Sequence, residues 1–187
     1  MRVIGGKFKG KKLLQPQDKE TRPLKDLTKE SIFNIINHSN KFSIDLKKGY
    51  VLDLFCGVGS FGIECLSQDA SHVTFIEKYE KALATLKKNL SNLKSEINYE
   101  IIESDILNNL EFKILKFRYD IIFLDPPYKE KALEIILNKI IENKILKDNG
   151  IIIIHRHKKE VDEFPKNFQI LDEKKYGISK LIFGTYF

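Results

Sequence analysis

The sequence predicts an α/β fold, with helices covering a mostly parallel seven-stranded sheet whose last strand is antiparallel. Three observations carry this expectation. Short apolar runs alternate with helical spacings through the C-terminal three-quarters of the 187 residues. A glycine-bearing stretch separates the first of these runs from the first helical segment. The final two runs lie close enough to form a hairpin around Tyr176-Gly177-Ile178. Strand–helix alternation implies parallel strands joined by right-handed crossovers; a hairpin makes its two strands antiparallel.

In chain order, Val3-Ile4-Gly5-Gly6 and the lysines after it suggest a short strand or hairpin. Thr21-Arg22-Pro23 reads as extended, because a proline disfavours helix in the residue before it. Thr28 is the expected cap of a helix that buries Ile32, Phe33 and Ile36. Val51 to Phe55 is the first strand of the sheet, and Phe61, Ile63, Cys65 and Leu66 mark the helix after the glycines. Val73 to Glu77 is the second strand. Leu83, Leu86, Leu90 and Leu93 then recur at intervals of 3, 4 and 3, an amphipathic helix. Tyr99 to Glu103 and Tyr119 to Asp125 are the next strands. Lys131 to Ile145 reads as helix, ended by Gly150 before the strand beginning at Ile151.

Composition describes a folded chain, 42% hydrophobic and 31% charged. No apolar run is long enough to span a bilayer and the N-terminus lacks a signal-peptide core, so no membrane partner is expected. Cys56 and Cys65 read as packing residues in a reducing, cytoplasmic setting. The net charge of +6 is uneven: residues 1–50 carry +7 and the remainder −1. Arg2, Lys7, Lys9, Lys11 and Lys12 occur with no acid among the first twelve residues, a pattern that favours a polyanionic, nucleic-acid partner. Residues 1–45 therefore read as a basic N-terminal extension and 46–187 as the main domain.

Ligands on such sheets bind at the carboxyl ends of the strands. That places Gly57, Glu77, Ser104-Asp105 and Asp125 along one crevice. Asp53 to Gly62 contains G-x-G-x-x-G between strand and helix, and Glu77 stands 20 residues after Gly57, placed to accept both hydroxyls of a ribose. Asp53 argues against a nicotinamide dinucleotide, since a carboxylate at the glycine loop repels a pyrophosphate. The sulfonium and ammonium of S-adenosylmethionine suit it. Asp105 is read both as an acceptor for the adenine amine and as a cap for the segment after it.

Asp125-Pro126-Pro127-Tyr128 closes the fourth of these sheet strands. The prolines cannot continue a ladder, and they stiffen a segment that offers an aromatic face and acceptors to a planar amine. His155 and His157 are read as facing solvent or RNA, and no metal site is expected.

At this point the chain resembles the class I S-adenosylmethionine-dependent methyltransferases, and more narrowly the RsmD-type bacterial family that methylates a guanine N2 in 16S ribosomal RNA. The stretches that carry the resemblance are Arg2 to Gly6, Thr21-Arg22-Pro23, Ile32-Phe33-Asn34, Val51 to Gly62 and Asp125 to Tyr128. The chain departs from that pattern at Leu24, where Thr is usual, at Gln68-Asp69 in place of Arg-Gly, and at His155 in place of Glu. The resemblance implies a Rossmann-like domain in which Asp53, Phe55, Gly57, Gly59, Glu77, Lys78, Asp105 and Ile106 hold S-adenosylmethionine. Asp125, Pro126, Pro127 and Tyr128 would then take the target amine. Arg2, Lys7, Lys9, Lys11, Lys12 and Arg22 would face the RNA, either 16S ribosomal RNA or the small subunit, with the protein acting as a monomer. An N-methyltransferase of another RNA, of DNA or of a protein amine is the alternative, followed by a non-catalytic RNA-binding module or a nicotinamide enzyme.

Overall fold

The computed structural model describes residues 1–15, 24–108, 111–126 and 132–187. Seven strands form one sheet in the order β3-β2-β1-β4-β5-β7-β6. They are β1 (Tyr50–Leu54), β2 (His72–Glu77), β3 (Tyr99–Glu103), β4 (Tyr119–Leu124), β5 (Leu146–His157), β6 (Phe168–Tyr176) and β7 (Ser179–Tyr186). Strands β1 to β5 pair in parallel, and β7 runs antiparallel to both β5 and β6. Chain order reverses between β1 and β4, which opens a crevice at their carboxyl ends.

The period of two along each strand decides which side chains meet. Val51, Phe75, Phe123 and Ile153 pack with α1 (Asp26–His38), α2 (Ser60–Ser67) and α3 (Glu80–Ser91). Leu52, Ile76, Leu124 and Ile154 pack on the other face with α4 (Ala132–Glu142). Two residues beyond Val51, Phe75, Phe123 and Ile153 stand Asp53, Glu77, Asp125 and His155. The alternation that builds the first core thus carries four ionisable groups to one end of the same sheet face.

The N-terminal segment is tied into that core. Residues 1–14 fold back on themselves through an antiparallel bridge between Arg2 and Lys12, and Val3 and Leu13 join the cluster that holds Phe61 and Phe123. Glu64 of α2 is fully buried; it accepts the backbone N–H groups of Ile4 at 2.9 Å and Gly5 at 2.7 Å. Lys29 of α1, equally buried, lies 3.3 Å from the same carboxylate and donates to the Arg2 carbonyl at 2.6 Å. Burial pulls the Lys29 ammonium pKa down, so Glu64 is what sustains the charge. Gly6, with φ +67°, lies so close to α2 that a Cβ would meet the Ser67 carbonyl oxygen at 1.8 Å. Replacing Glu64 by Gln leaves Lys29 buried without a counter-charge, and the expected loss is about 3–5 kcal/mol of unfolding free energy. Urea unfolding checks this; an unchanged midpoint would mean the pair contributes nothing.

Three local expectations are corrected. Helix α1 starts at Asp26 rather than after Thr28, which is buried inside its first turn. Helix α4 ends at Glu142, and Lys144 takes φ +50° just beyond it. Gly150 lies inside β5, at the irregularity where the β4–β5 register shifts between Tyr119/Leu146 and Ile121/Ile151. Every residue of α2 is buried, because the N-terminal segment and α1 cover the side that faces outward from the sheet.

Candidate active site

A cavity of about 630 Å³ opens at the carboxyl ends of the strands, a size suited to a nucleoside-bearing ligand. Asp53, Phe55, Gly57, Glu77, Lys78 and Ile106 line one part of it. Asp125, Pro126, His155, Arg156 and Ser179 line another. Phe61 and Phe123, stacked with ring centroids 4.2 Å apart, contribute to the wall. Leu24, Lys25 and Thr28 from the start of α1 complete it, a contribution that no motif in the sequence announces.

The glycine loop is held from both sides. Gly57 N–H donates to Glu77 Oε2 at 2.8 Å, and Asn89 Nδ2 donates to the Val58 carbonyl at 3.1 Å. Gly59 takes φ +82°, and a Cβ there would meet Leu86 Cδ1 at 2.3 Å, so the close approach of loop and α3 needs a glycine. Phe55 takes φ +59° without being glycine, a conformation that costs about 1–3 kcal/mol and gathers at functional sites. The Cys56 N–H bond to the Ile76 carbonyl at 3.1 Å helps to hold the turn.

Asp53 is buried to 1% exposure; its Oδ2 accepts the Gly62 N–H at 2.9 Å, and its Oδ1 has no hydrogen-bond partner among the described residues. Burial, with smaller contributions from Asp125 and Glu77, pushes its pKa up to about 8. An orphaned acceptor on a cavity wall is what a cationic ligand group would satisfy. S-adenosylmethionine fits this donor set through its ammonium and sulfonium.

Glu77 is more committed than its sequence position suggests. Its Oε1 accepts the N–H groups of Lys78 at 2.8 Å and Tyr79 at 2.9 Å, and Oε2 is engaged by Gly57. A carboxylate has about four acceptor directions, so one remains for a ribose hydroxyl rather than two. Asp105 is committed further. Its Oδ1 caps Leu107 and Asn108 at 3.0 and 3.4 Å, while Oδ2 takes Lys78 Nζ and Asn108 Nδ2, both at 2.9 Å. These bonds, that to Lys78 foremost, draw its pKa down to about 2. Of the two readings of Asp105, the cap is the one with visible contacts.

Asp125 is partly exposed and Pro126 buried in the cavity lining, whereas Pro127, Tyr128 and Arg22 lie outside the described residues. Asp125 Oδ1 meets His155 Nδ1 at 3.0 Å, and its other oxygen has no hydrogen bond among the described residues. His155 does not face solvent: its side chain is 14% exposed, and Nε2 meets Ser179 Oγ at 3.0 Å. Arg156 Nη1 donates to the Pro126 carbonyl at 3.3 Å, and buried Asp162 grips its Nε at 2.8 Å. The neighbours of Asp125 could have been found only with the β4–β5 register, which sets Leu124 beside Ile154 and hence Asp125 beside His155.

The basic cluster runs along α2. The Arg2 carbonyl shares Lys29 with Ser60, at the glycine-loop end, and Phe8 N–H donates to Ser67, at the far end. Eight helical residues span about 12 Å. Lys7 sits at the far end, 3.4 Å from Asp69, and Arg2 lies 3.7 Å from Asp26. Lys7 and Lys11 also lie over the Phe8 ring, at 5.3 and 5.9 Å. Lys9 and Lys12 are exposed, with no carboxylate in ion-pair reach among the described residues. No group of three or more His, Cys, Asp or Glu among the described residues is placed to hold a metal ion.

Strand order, glycine loop and acid-lined crevice together define a class I methyltransferase. Comparison with known proteins narrows this. The chain belongs to the family described as conserved hypothetical protein 95, whose sequence pattern matches residues 1–185, and with it to the RsmD-type proteins. It is 34% identical to ribosomal RNA small subunit methyltransferase D of Haemophilus influenzae, over 95% of this chain and 90% of that one. It is 30% identical to the protein of the same name from Escherichia coli, over 95% and 85%. Among solved structures it resembles an Escherichia coli protein titled provisionally as a methyltransferase, with TM-score 0.79 and 27% identity over 100% of this chain and 97% of that one. A Haemophilus influenzae structure, titled provisionally as a methylase, gives TM-score 0.74 and 30% identity over 98% and 96%.

Proposed function

We propose that this protein transfers a methyl group from S-adenosylmethionine to the exocyclic N2 of a guanine in small-subunit (16S) ribosomal RNA, as a cytoplasmic monomer. An S-adenosylmethionine-dependent rRNA methyltransferase is the reading its relatives' names support. The observation that carries the chemistry is one cavity that holds a buried Asp53 oxygen and an Asp125 oxygen, neither of them hydrogen-bonded among the described residues. One suits a cation, the other an amine.

When bound, S-adenosylmethionine supplies a methyl group on a positively charged sulfur. Asp53 Oδ1 would face the cationic part of that molecule, Glu77 a ribose hydroxyl, and Phe55, Lys78 and Ile106 the rest of the nucleoside. Gly57 and Gly59 let the backbone approach closely. Asp105 would act from behind, holding Lys78 and the turn after β3.

On the acceptor side the chemistry asks for little acid–base power. A guanine N2 lone pair is delocalised into the ring, and acceptors on its two hydrogens turn it toward the methyl group. Asp125 offers one acceptor. The Pro126 carbonyl offers another, although Arg156 already donates to it. Positioning of this kind can contribute roughly 7–11 kcal/mol. Pro127 and Tyr128 are assigned to the same task, with the ring stacking on the base for about 1–3 kcal/mol. Reaching N2 calls for an unpaired or flipped base. Arg2, Lys9, Lys11, Lys12 and Arg22 would bind flanking phosphates, and Lys7 would extend that footprint past the far end of α2.

The experiment offers labelled S-adenosylmethionine with 16S ribosomal RNA, with small subunits and with DNA, and identifies the modified nucleoside. N2-methylguanine from one of the two RNA substrates is the expected product. A different nucleoside, or label only in DNA, would replace the reading.

A further inference from the structure

His155 sits where β5 delivers it beside Asp125, and the hydrogen-bond chain Asp125–His155–Ser179 joins none of the residues assigned to the cofactor. An ionised carboxylate can only accept, so Nδ1 of His155 carries a proton and donates to Asp125 Oδ1 at 3.0 Å. The other ring nitrogen faces a hydroxyl, Ser179 Oγ at 3.0 Å. A serine hydroxyl rotates: it donates to Nε2 when the imidazole is neutral and accepts from Nε2–H when it is charged. Both charge states therefore keep both hydrogen bonds, with no movement of the ring.

The surrounding charges do not usurp this arrangement. Asp125 meets His155 from β4; Asp53, Glu77, Lys25 and His157 line the same cavity. From β7, Ser179 is the contact, and Lys180 is turned to Asp162 at 2.8 Å, as is Arg156. The carboxylate of Asp162 pairs with both of those cations, and Arg156 also reaches the Pro126 carbonyl beside Asp125.

We infer that His155, braced by Ser179, is a positioning residue that orients the Asp125 carboxylate toward the acceptor amine. The inference rests on the reading of Asp125 as amine acceptor. As the amine nitrogen bonds to the methyl carbon, the bond from that carbon to sulfur breaks and its electron pair stays on sulfur. The nitrogen becomes cationic and then gives up one proton, to the Asp125 oxygen that His155 does not hold and onward to water. By fixing Oδ1, the hydrogen bond from His155 sets the other oxygen of Asp125 in place for that proton.

The test measures kcat, and KM for RNA, at saturating S-adenosylmethionine. His155→Ala should lower kcat roughly 10- to 100-fold, with KM for RNA and affinity for S-adenosylmethionine unchanged. His155→Asn, whose amide donates from near the position of Nδ1, should recover most of the rate. Nitrogen NMR of the unliganded protein should show the proton on Nδ1. An unprotonated Nδ1, or no recovery in His155→Asn, would overturn the inference. If Asp125→Ala is active, the reading of Asp125 fails. If Asp125→Ala is inactive but His155→Ala keeps the full rate, only this inference fails.

Discussion

Asp125→Ala is expected to lower the rate of methyl transfer by roughly 100- to 1,000-fold, the cost typical of removing one preorganised group that faces developing charge. Affinity for S-adenosylmethionine should change little, because Asp53 stays in place and burial, not Asp125, is the main cause of its raised pKa. The fold should survive as well, since the Asp125 side chain is 28% exposed and its loss orphans no buried cation. Calorimetry with S-adenosylmethionine and a single-turnover assay on RNA separate the two effects. Normal turnover would return Asp125 to the role of a strand-ending turn residue.

Asp53→Asn is expected to act in the opposite way, on the cofactor first. A cationic ligand binds the ionised carboxylate, and a pKa of about 8 leaves Asp53 largely protonated at neutral pH. Affinity for S-adenosylmethionine should therefore rise with pH, by at most about tenfold per unit, and level off above about pH 8. The Asn variant should bind roughly 100-fold more weakly or worse, and the Asp53-dependent part of that rise should vanish. Stability moves the other way. Because the folded pKa is raised above the usual 3.8, the unliganded protein is favoured at acid pH and loses stability as pH climbs toward 8. At pH 7 the linked cost is on the order of 4 kcal/mol. Asp53→Asn removes that pH-linked loss, and its melting temperature should exceed that of the unsubstituted protein near pH 7 while falling less between pH 5 and pH 8. A lower melting temperature across that range would show that the Gly62 hydrogen bond needs the carboxylate more than the cavity resists it.

These two carboxylates illustrate how unevenly a sequence speaks. Asp53 was legible because it stands in a short apolar run just before the glycine loop, and Asp125 because it ends such a run before two prolines. Their division of labour was not. Both lie on the same sheet face, and burial separates an acid pushed up to about 8 from one whose side chain stays 28% exposed. Glu77 and Asp105 show the reverse. Their spacing after β2 and β3 suggested ligand contacts, and the structure shows each already engaged by nearby N–H groups or by Lys78. Short-range capping is cheap in sequence distance, so it competes with any ligand for the same lone pairs.

The chain by itself determined the alternation of strands and helices, the glycine loop, the acids at strand ends and the basic N-terminal quarter. Each is written in local spacing: two residues per strand repeat, 3.6 per helical turn, and prolines or glycines at the breaks. Tertiary structure alone decided which strand neighbours which, and therefore that His155 meets Asp125 across 30 residues of sequence. It also decided that a buried Glu64–Lys29 pair would fasten the basic segment along α2, and that the start of α1 would wall the crevice. Hydrogen-bond register and burial are properties of the packed sheet, and no local pattern encodes them before the strands have paired.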